Sequence, residues 1–258
     1  MRYFSVAYRP LEWALPRFAE AVSTTPCGPG VTDLGARYPE WAGRDRQLGE
    51  YATLFALRRA LESEDAAGPD EMIGISHYRR FAMTLPAKVS SRRGEAIRPA
   101  DFAKLSRDRF IPPPDTVLHL QPIQVAPSLI GQFGQYHHTR DLLFFMGVAV
   151  DLGVVTDAEA AAWLGGQLLV PAATVGVFPR DWWLRTMTVL EEVAVAYGQQ
   201  HGVDREGYQA RSPAFCLERL HSLLLVKLVQ GRDPSRVVAL PELIVDPNGR
   251  YAGNDGSR

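Results

Sequence analysis

A strand, a helix and a second strand follow one another in the first third of the chain, and that order constrains the fold more than any other feature. Residues 2–8, Arg-Tyr-Phe-Ser-Val-Ala-Tyr, alternate and are rich in aromatic and β-branched types, the pattern of a half-buried strand. Between Gly49 and Glu62 the apolar residues Tyr51, Leu54, Phe55, Leu57 and Leu61 recur at helical spacing. Gly68-Pro69-Asp70 then interrupts, and Met72-Ile73-Gly74-Ile75-Ser76 reads as a buried strand. Two strands joined through a helix run parallel. The chain is therefore read as α/β, with a mostly parallel central sheet flanked by helices. Its 258 residues suffice for one such core. The expected domain spans 1–247, and residues 248–258, rich in Gly, Asn and Ser, form a flexible tail.

The remaining chain fits that class. Residues 24–46 read as a long loop, and prolines 112, 113, 114, 122 and 127 keep regular helix out of 109–130. A basic segment, 82–109, carries Lys88, Arg92, Arg93, Arg98, Lys104, Arg107 and Arg109. Helical periodicity returns from Gln135 to Leu152, and Thr156-Asp157-Ala158-Glu159 is a capping box opening a helix to Leu164. Leu168–Phe178 reads as a buried strand. Arg180–Gln200 and Ser212–Gln230 read as amphipathic helices. Val237–Val245 is expected as an edge strand, because Pro241 cannot donate to a ladder.

Several function classes are excluded early. A net charge of −1 supplies no global field for nucleic acid. No Gly-x-Gly-x-x-Gly, Walker loop, His-Glu-x-x-His or nucleophile elbow occurs. Cys27 and Cys216 match no metal or redox spacing and are expected as inert thiols in a reducing cytoplasm. No signal-peptide pattern opens the chain and no apolar run is long enough to span a bilayer. A cytoplasmic protein is expected, with peripheral membrane association left open.

Three polar clusters remain. In Met72 to Phe81 an apolar strand runs directly into His77, Tyr78, Arg79 and Arg80. Ligands of open α/β sheets bind beyond the carboxyl ends of strands. An arginine there could grip phosphate bidentately, and His77 could donate to an anionic oxygen. The two arginines would point to opposite sides of a continuing strand. The competing reading is a structural ion-pair cluster. In Gln132 to Asp141, His137 and Asp141 stand four apart and would share a helix face as an imidazole–carboxylate pair, or simply form an exposed polar helix start. The adjacent His137 and His138 point apart, which serves a metal poorly. In Arg211 to Arg219, Glu218 lies among apolar residues and either pairs with Arg211 or Arg219 or serves as a tuned base.

Taken together and in this order, the clusters resemble a bacterial capsular and exopolysaccharide biosynthesis family, catalogued as domain of unknown function 4422 and regarded as GT-A-type glycosyltransferases. The family's Cys-Glu-Leu-Thr helix resembles Gly49-Glu50-Tyr51-Ala52, and its Gly-Leu-Cys-His-Tyr-Arg-Arg-Tyr motif resembles Gly74 to Phe81. Gln132 to Leu142 is similar to its Gln-Tyr-x-x-x-His-His-x-x-Asp-Leu, and Arg211 to Leu220 to its Arg-x-Phe-Gly-x-x-x-Glu-Arg-Leu. Arg9-Pro10 fits its His-Lys-Pro start. Gly49, Phe133, Thr174 and Pro213-Ala214 depart from the pattern, which bears on sugar and acceptor identity rather than on fold.

The resemblance implies a GT-A-like, Rossmann-like fold and a hexosyl- or pentosyltransferase. Its partners would be a nucleotide-diphosphate sugar donor and a glycan, lipid-linked or small-molecule acceptor, with no nucleic acid. Donor and diphosphate binding is expected of His77, Tyr78, Arg79, Arg80, Glu50, Arg211 and His138. Catalysis is expected of Glu218 as base, with Asp141, oriented by His137 or acting itself, as the second choice. Glu50 would hold nucleobase or ribose, or merely cap its helix. No cofactor is expected: with no Asp-x-Asp to support a divalent metal, fixed His and Arg groups would neutralise the diphosphate. One alternative is a non-catalytic nucleotide-sugar-binding scaffold. Another is a metal-dependent hydrolase using His77, His137, His138 and Asp141.

Overall fold

The computed structural model describes residues 1–63, 71–86, 90–91, 94–202 and 204–247. The expected tail 248–258, the break at 68–70, and Lys88, Arg92 and Arg93 lie outside the described residues. The chain opens with β1 (Arg2–Val6), β2 (Ala19–Ser23) and β3 (Val31–Asp33), then α1 (Asp45–Leu48) and α2 (Tyr51–Glu62). Next come β4 (Met72–His77), β5 (Arg80–Phe81), β6 (Ser90–Ser91), β7 (Gly94–Ile97), α3 (Pro99–Phe102), β8 (Val117–Leu120) and β9 (Ile123–Gln124). Helices α4 (Leu129–Gly134), α5 (Thr139–Asp151) and α6 (Asp157–Gly165) follow. The chain continues through β10 (Leu168–Leu169), β11 (Gly176–Pro179), α7 (Arg180–His201), α8 (Ser212–Gln230), β12 (Val237–Leu240) and β13 (Leu243–Val245).

The main sheet has the order β3-β2-β1-β4-β11-β8-β12. All neighbours in it are parallel except β11, which is antiparallel to both β4 and β8. This is the expected mostly parallel α/β sheet. From the end of β4 a second run of short strands, β5-β13-β7-β6, branches away.

Strand periodicity divides the core into two. On one face Phe4, Val6, Ile73, Ile75, Val117 and Phe178 meet the apolar sides of the helices, with Leu54, Phe145, Trp183, Met187 and Leu220 all fully buried. On the other face Tyr3, Leu118, Leu120 and Val177 meet Phe81, Phe102 and Phe110 beneath the branched strands. The Tyr3 ring lies against Gly74, where a Cβ would clash with it; the strand Met72–His77 needs a glycine there for close approach.

Four expectations change. The loop 24–46 contains β3, a three-residue parallel strand held by β2. Leu168–Phe178 is two short strands, β10 and β11, in different sheets. Val237–Val245 breaks at Pro241: β12 forms the edge beside β8, whereas β13 lies between β5 and β7. The segment 135–152 is not one helix, because α4 ends at Gly134 and a turn precedes α5. The capping box at Thr156 and Glu159 forms as expected, each side chain bonded to the other's backbone N–H.

Candidate functional site

Strand order reverses beside β1. The chain moves outward through β2 to β3, then returns to place β4 against the other side of β1. Ligands of open α/β sheets settle beyond the carboxyl ends of the strands at such a reversal. Val6 and His77, register partners, end β1 and β4 there. The amino ends of two helices reach the same place. Glu50, the N-cap of α2, holds a carboxylate oxygen 3.7 Å from His77 Nε2. Arg211, the N-cap of α8, rests its guanidinium against Gly49.

The stretch Met72 to Phe81 is a tight hairpin. β4 runs through His77, Tyr78 and Arg79 make the turn, and Arg80 opens β5 by pairing back onto His77. The chain reverses where a continuing strand was expected, so the alternating placement of Arg79 and Arg80 does not apply. Tyr78 donates its N–H to Val6 O at 2.9 Å. Its ring packs with Ala7, Cys27, Tyr8 and Trp13, under the guanidinium of Arg9 at 5.0 Å. Burial and the neighbouring Tyr8 push the Tyr78 hydroxyl up to about 12. The Arg79 side chain has no hydrogen-bond or ion-pair partner among the described residues. Arg80 stands 3.4 Å from the carboxylate of Glu242.

His77 is buried and shares a hydrogen bond with Thr174 Oγ1 at 3.2 Å. Burial holds its pKa below the usual imidazole range; Glu50 opposes that shift and Arg80 reinforces it. The imidazole is therefore neutral at physiological pH and offers one N–H. Arg211 Nε is buried without a hydrogen-bond partner, and the head of the side chain lies over Phe215. A guanidinium so placed, with no acid paired to it among the described residues, is available to an anion.

Glu218 sits in the second turn of α8 with both oxygens engaged. One accepts the Ala172 N–H at 3.0 Å and the other accepts from Arg219. Arg219 is buried, also donates to Gln132 at 3.1 Å, and lies over Phe133. Glu218 thus takes Arg219 as its partner, not Arg211, and it lies within electrostatic reach of His77.

The second sequence cluster does not assemble as expected. Because the turn at 135–138 interrupts the helix, His137 and Asp141 share no face. Asp141 is buried and grips Arg205 through both oxygens, at 2.6 and 2.8 Å, while Ser212 donates to it. Those donors outweigh burial and lower its pKa, which makes it a poor proton acceptor. His137 instead stacks on Phe215 at 4.0 Å, and burial, then Arg219, lowers its pKa to about 4. His138 is the exposed N-cap of α5. Among the described residues no three His, Cys, Asp or Glu side chains are grouped to hold a metal, and His77, His137, His138 and Asp141 form no such group. An open cavity of about 370 Å³ borders Asp141, Arg205 and Ser212. None of the residues around His77 lines it, so the site at the sheet is marked by its charges rather than by this hollow.

Sequence reasoning missed Glu242. It lies between β12 and β13, its Oε1 is buried without a hydrogen-bond donor, and its pKa is raised by burial and by Glu218 against the opposing pull of Arg80. The signal was present: Glu242 is the single acid in the run Val237-Val-Ala-Leu-Pro-Glu-Leu-Ile-Val245. Both thiols are buried and free, and burial pushes that of Cys216 well up. Among the described residues no helix is long and apolar enough to cross a membrane.

No protein-family model matches the chain, and no curated protein sequence does. The resemblance to family 4422 therefore rests on the motifs. Among solved structures the chain is similar to the bifunctional glycosyltransferase WbbM in its apo form, with a TM-score of 0.71 at 16% identity. The match covers 95% of this chain and 45% of WbbM, so this chain spans less than half of that one. At that identity the likeness is one of fold.

Proposed function

We propose that the chain is a glycosyltransferase that moves a sugar from a nucleotide-diphosphate sugar to an acceptor hydroxyl, in polysaccharide or specialised-metabolite glycoside biosynthesis. The motifs and the fold shared with a glycosyltransferase support this reading. The observation that carries it is the set of donors at the sheet reversal: neutral His77, and the guanidinium groups of Arg79 and Arg211 with no acid paired to either among the described residues. A departing diphosphate gains negative charge in the transition state, and preorganised N–H donors stabilise it without reorganising. Arginine suits this task because its fork matches two phosphate oxygens at once. In this scheme no divalent ion is needed on the diphosphate.

Glu218 takes the proton of the acceptor hydroxyl. Ala172 and Arg219 each occupy one lone pair on one oxygen, which orients the carboxylate and leaves it further acceptor capacity. Asp141 stiffens the approach to α8 through Arg205 and Ser212, and Glu50 lies beside His77 at the start of α2.

A thermal-shift screen against UDP-, GDP-, dTDP- and CDP-sugars is the test, because a ligand of the folded state raises the unfolding temperature by mass action. One donor class is expected to stabilise the chain and to be turned over when acceptors are supplied. Glu218→Gln should lower turnover by about 10²-fold or more while sparing donor binding. EDTA should leave turnover intact; loss on chelation with recovery on manganese would overturn the metal-free scheme. Binding without hydrolysis or transfer would favour a scaffold instead.

A further inference from the structure

We infer that Glu242 binds the hydroxyl groups of the transferred sugar; this rests on the glycosyl-transfer reading above and extends it from the diphosphate to the sugar. The residue occupies the two-residue connection Pro241–Glu242 between β12 and β13, and its backbone is pinned by the Glu95 N–H at 2.8 Å. The side chain is mostly buried and points toward the hairpin that carries the cations: Oε1 lies 3.4 Å from Arg80, with Arg79 and Glu218 within electrostatic reach.

Its Oε1 is the one buried carboxylate oxygen among the described residues that accepts no hydrogen bond. An ionised carboxylate is acceptor-only, and leaving it unsatisfied away from water costs free energy unless a ligand supplies donors. Burial already raises its proton affinity against the opposing pull of Arg80 and Arg79, as expected of a carboxylate oxygen that lacks a hydrogen-bond donor. Diphosphate cannot be that ligand, since it brings no donor and is repelled by a second anion. The sugar joined to it can. Its neutral hydroxyls are donors, and two on neighbouring carbons match two carboxylate oxygens. The hairpin would then present cations to the diphosphate, and the loop beside it an acceptor to the sugar.

The competing role for Glu242 is a structural ion pair with Arg80. The two roles differ in sign. A pair that holds the fold together loses stability when the acid is removed, whereas a buried acceptor kept for a ligand is replaced at no loss of stability, or with a gain. The full chain, with Glu242→Leu and Glu242→Gln, is titrated with UDP, GDP, dTDP and CDP and with a hexose conjugate of each, and melted without ligand.

Wild type is expected to prefer one nucleotide sugar over its free nucleoside diphosphate. Glu242→Leu should reduce that preference about tenfold or more, with diphosphate affinity unchanged or tighter because one negative charge is gone. Glu242→Gln, which keeps one acceptor oxygen, should lose less, and neither variant should melt lower than wild type. A preference kept in Glu242→Leu, or absent from wild type, overturns the assignment. So does a joint loss of stability and diphosphate affinity in both variants. A wild type that binds none of the eight compounds overturns the glycosyl-transfer reading itself.

Discussion

Gly49 separates α1 from α2 with φ 56° and ψ −137°, a conformation close to the one reserved for glycine. A Cβ there would stand 3.0 Å from Arg211 Nη2 and 3.4 Å from Ala214 Cβ. The missing side chain therefore serves two ends. It allows the backbone to turn Glu50 toward His77, and it leaves room for the Arg211 guanidinium. Gly49→Ala is expected to cost ~1–3 kcal/mol of stability in urea unfolding. It should also weaken pyrophosphate binding by displacing Arg211. Unchanged pyrophosphate affinity in a destabilised Gly49→Ala protein would show that Arg211 does not face the anion.

At the scale of elements, a partly buried charge cluster fastens α2 to α7. Arg58 donates to Glu62 at 2.6 Å and to Glu191 at 2.7 Å, and Arg59 donates to the other Glu191 oxygen at 2.6 Å. Arg58 and Glu191 are both buried, so losing one partner strands the other. Glu191→Ala is expected to cost about 3 kcal/mol, the low end for a broken buried pair, because Glu62 still neutralises Arg58. A chemical-denaturation midpoint within error of wild type would contradict this. The helices α7 and α8 and the capping box of α6 were legible in the sequence because their signals are local: periodicity, and a Thr three residues before a Glu. What escaped was non-local. β3 has three residues and exists through pairing with β2. The direction of β11 is set by β4 and β8, and the split at Pro241 depends on β8 and β5 competing for one run of chain. The candidate site divided the same way. His77 and Arg79 stand out in the polar run that follows an apolar strand, and Glu218 as an acid among apolar residues. The His137–Asp141 pairing failed because it counted helix phase across a turn.

At the scale of the whole molecule, stability should depend on pH through buried and half-buried imidazoles. His77, His137 and His221 all have lowered pKa values, chiefly from burial, with His137 at about 4 and His221 at about 3. A group that binds its proton more weakly when folded contributes stability that is full above the unfolded value and lost as pH falls below it. For imidazole that loss begins near pH ~6.5. Where the folded value lies far below the unfolded one, as at His137 and His221, each contributes a slope approaching ~1.4 kcal/mol per pH unit. The urea midpoint is expected to fall between pH 7 and 5, before most carboxylates protonate. His221→Asn should flatten the profile by one proton; a profile already level in wild type would contradict the burial of these rings. Glu242, with its raised pKa, acts oppositely, its share being lost as pH rises through the folded value.

The branch strand β13 carries a consequence for synthesis. It inserts between β5 and β7, both made within the first hundred residues, and its Val245 N–H caps the Arg79 carbonyl of the cationic hairpin. On the ribosome those early strands must wait for residues 243–245 to emerge, a delay of roughly 7–30 s at ordinary elongation rates. A nascent chain arrested short of Leu243 would therefore carry its cationic hairpin without that backbone partner, however complete the helices behind it.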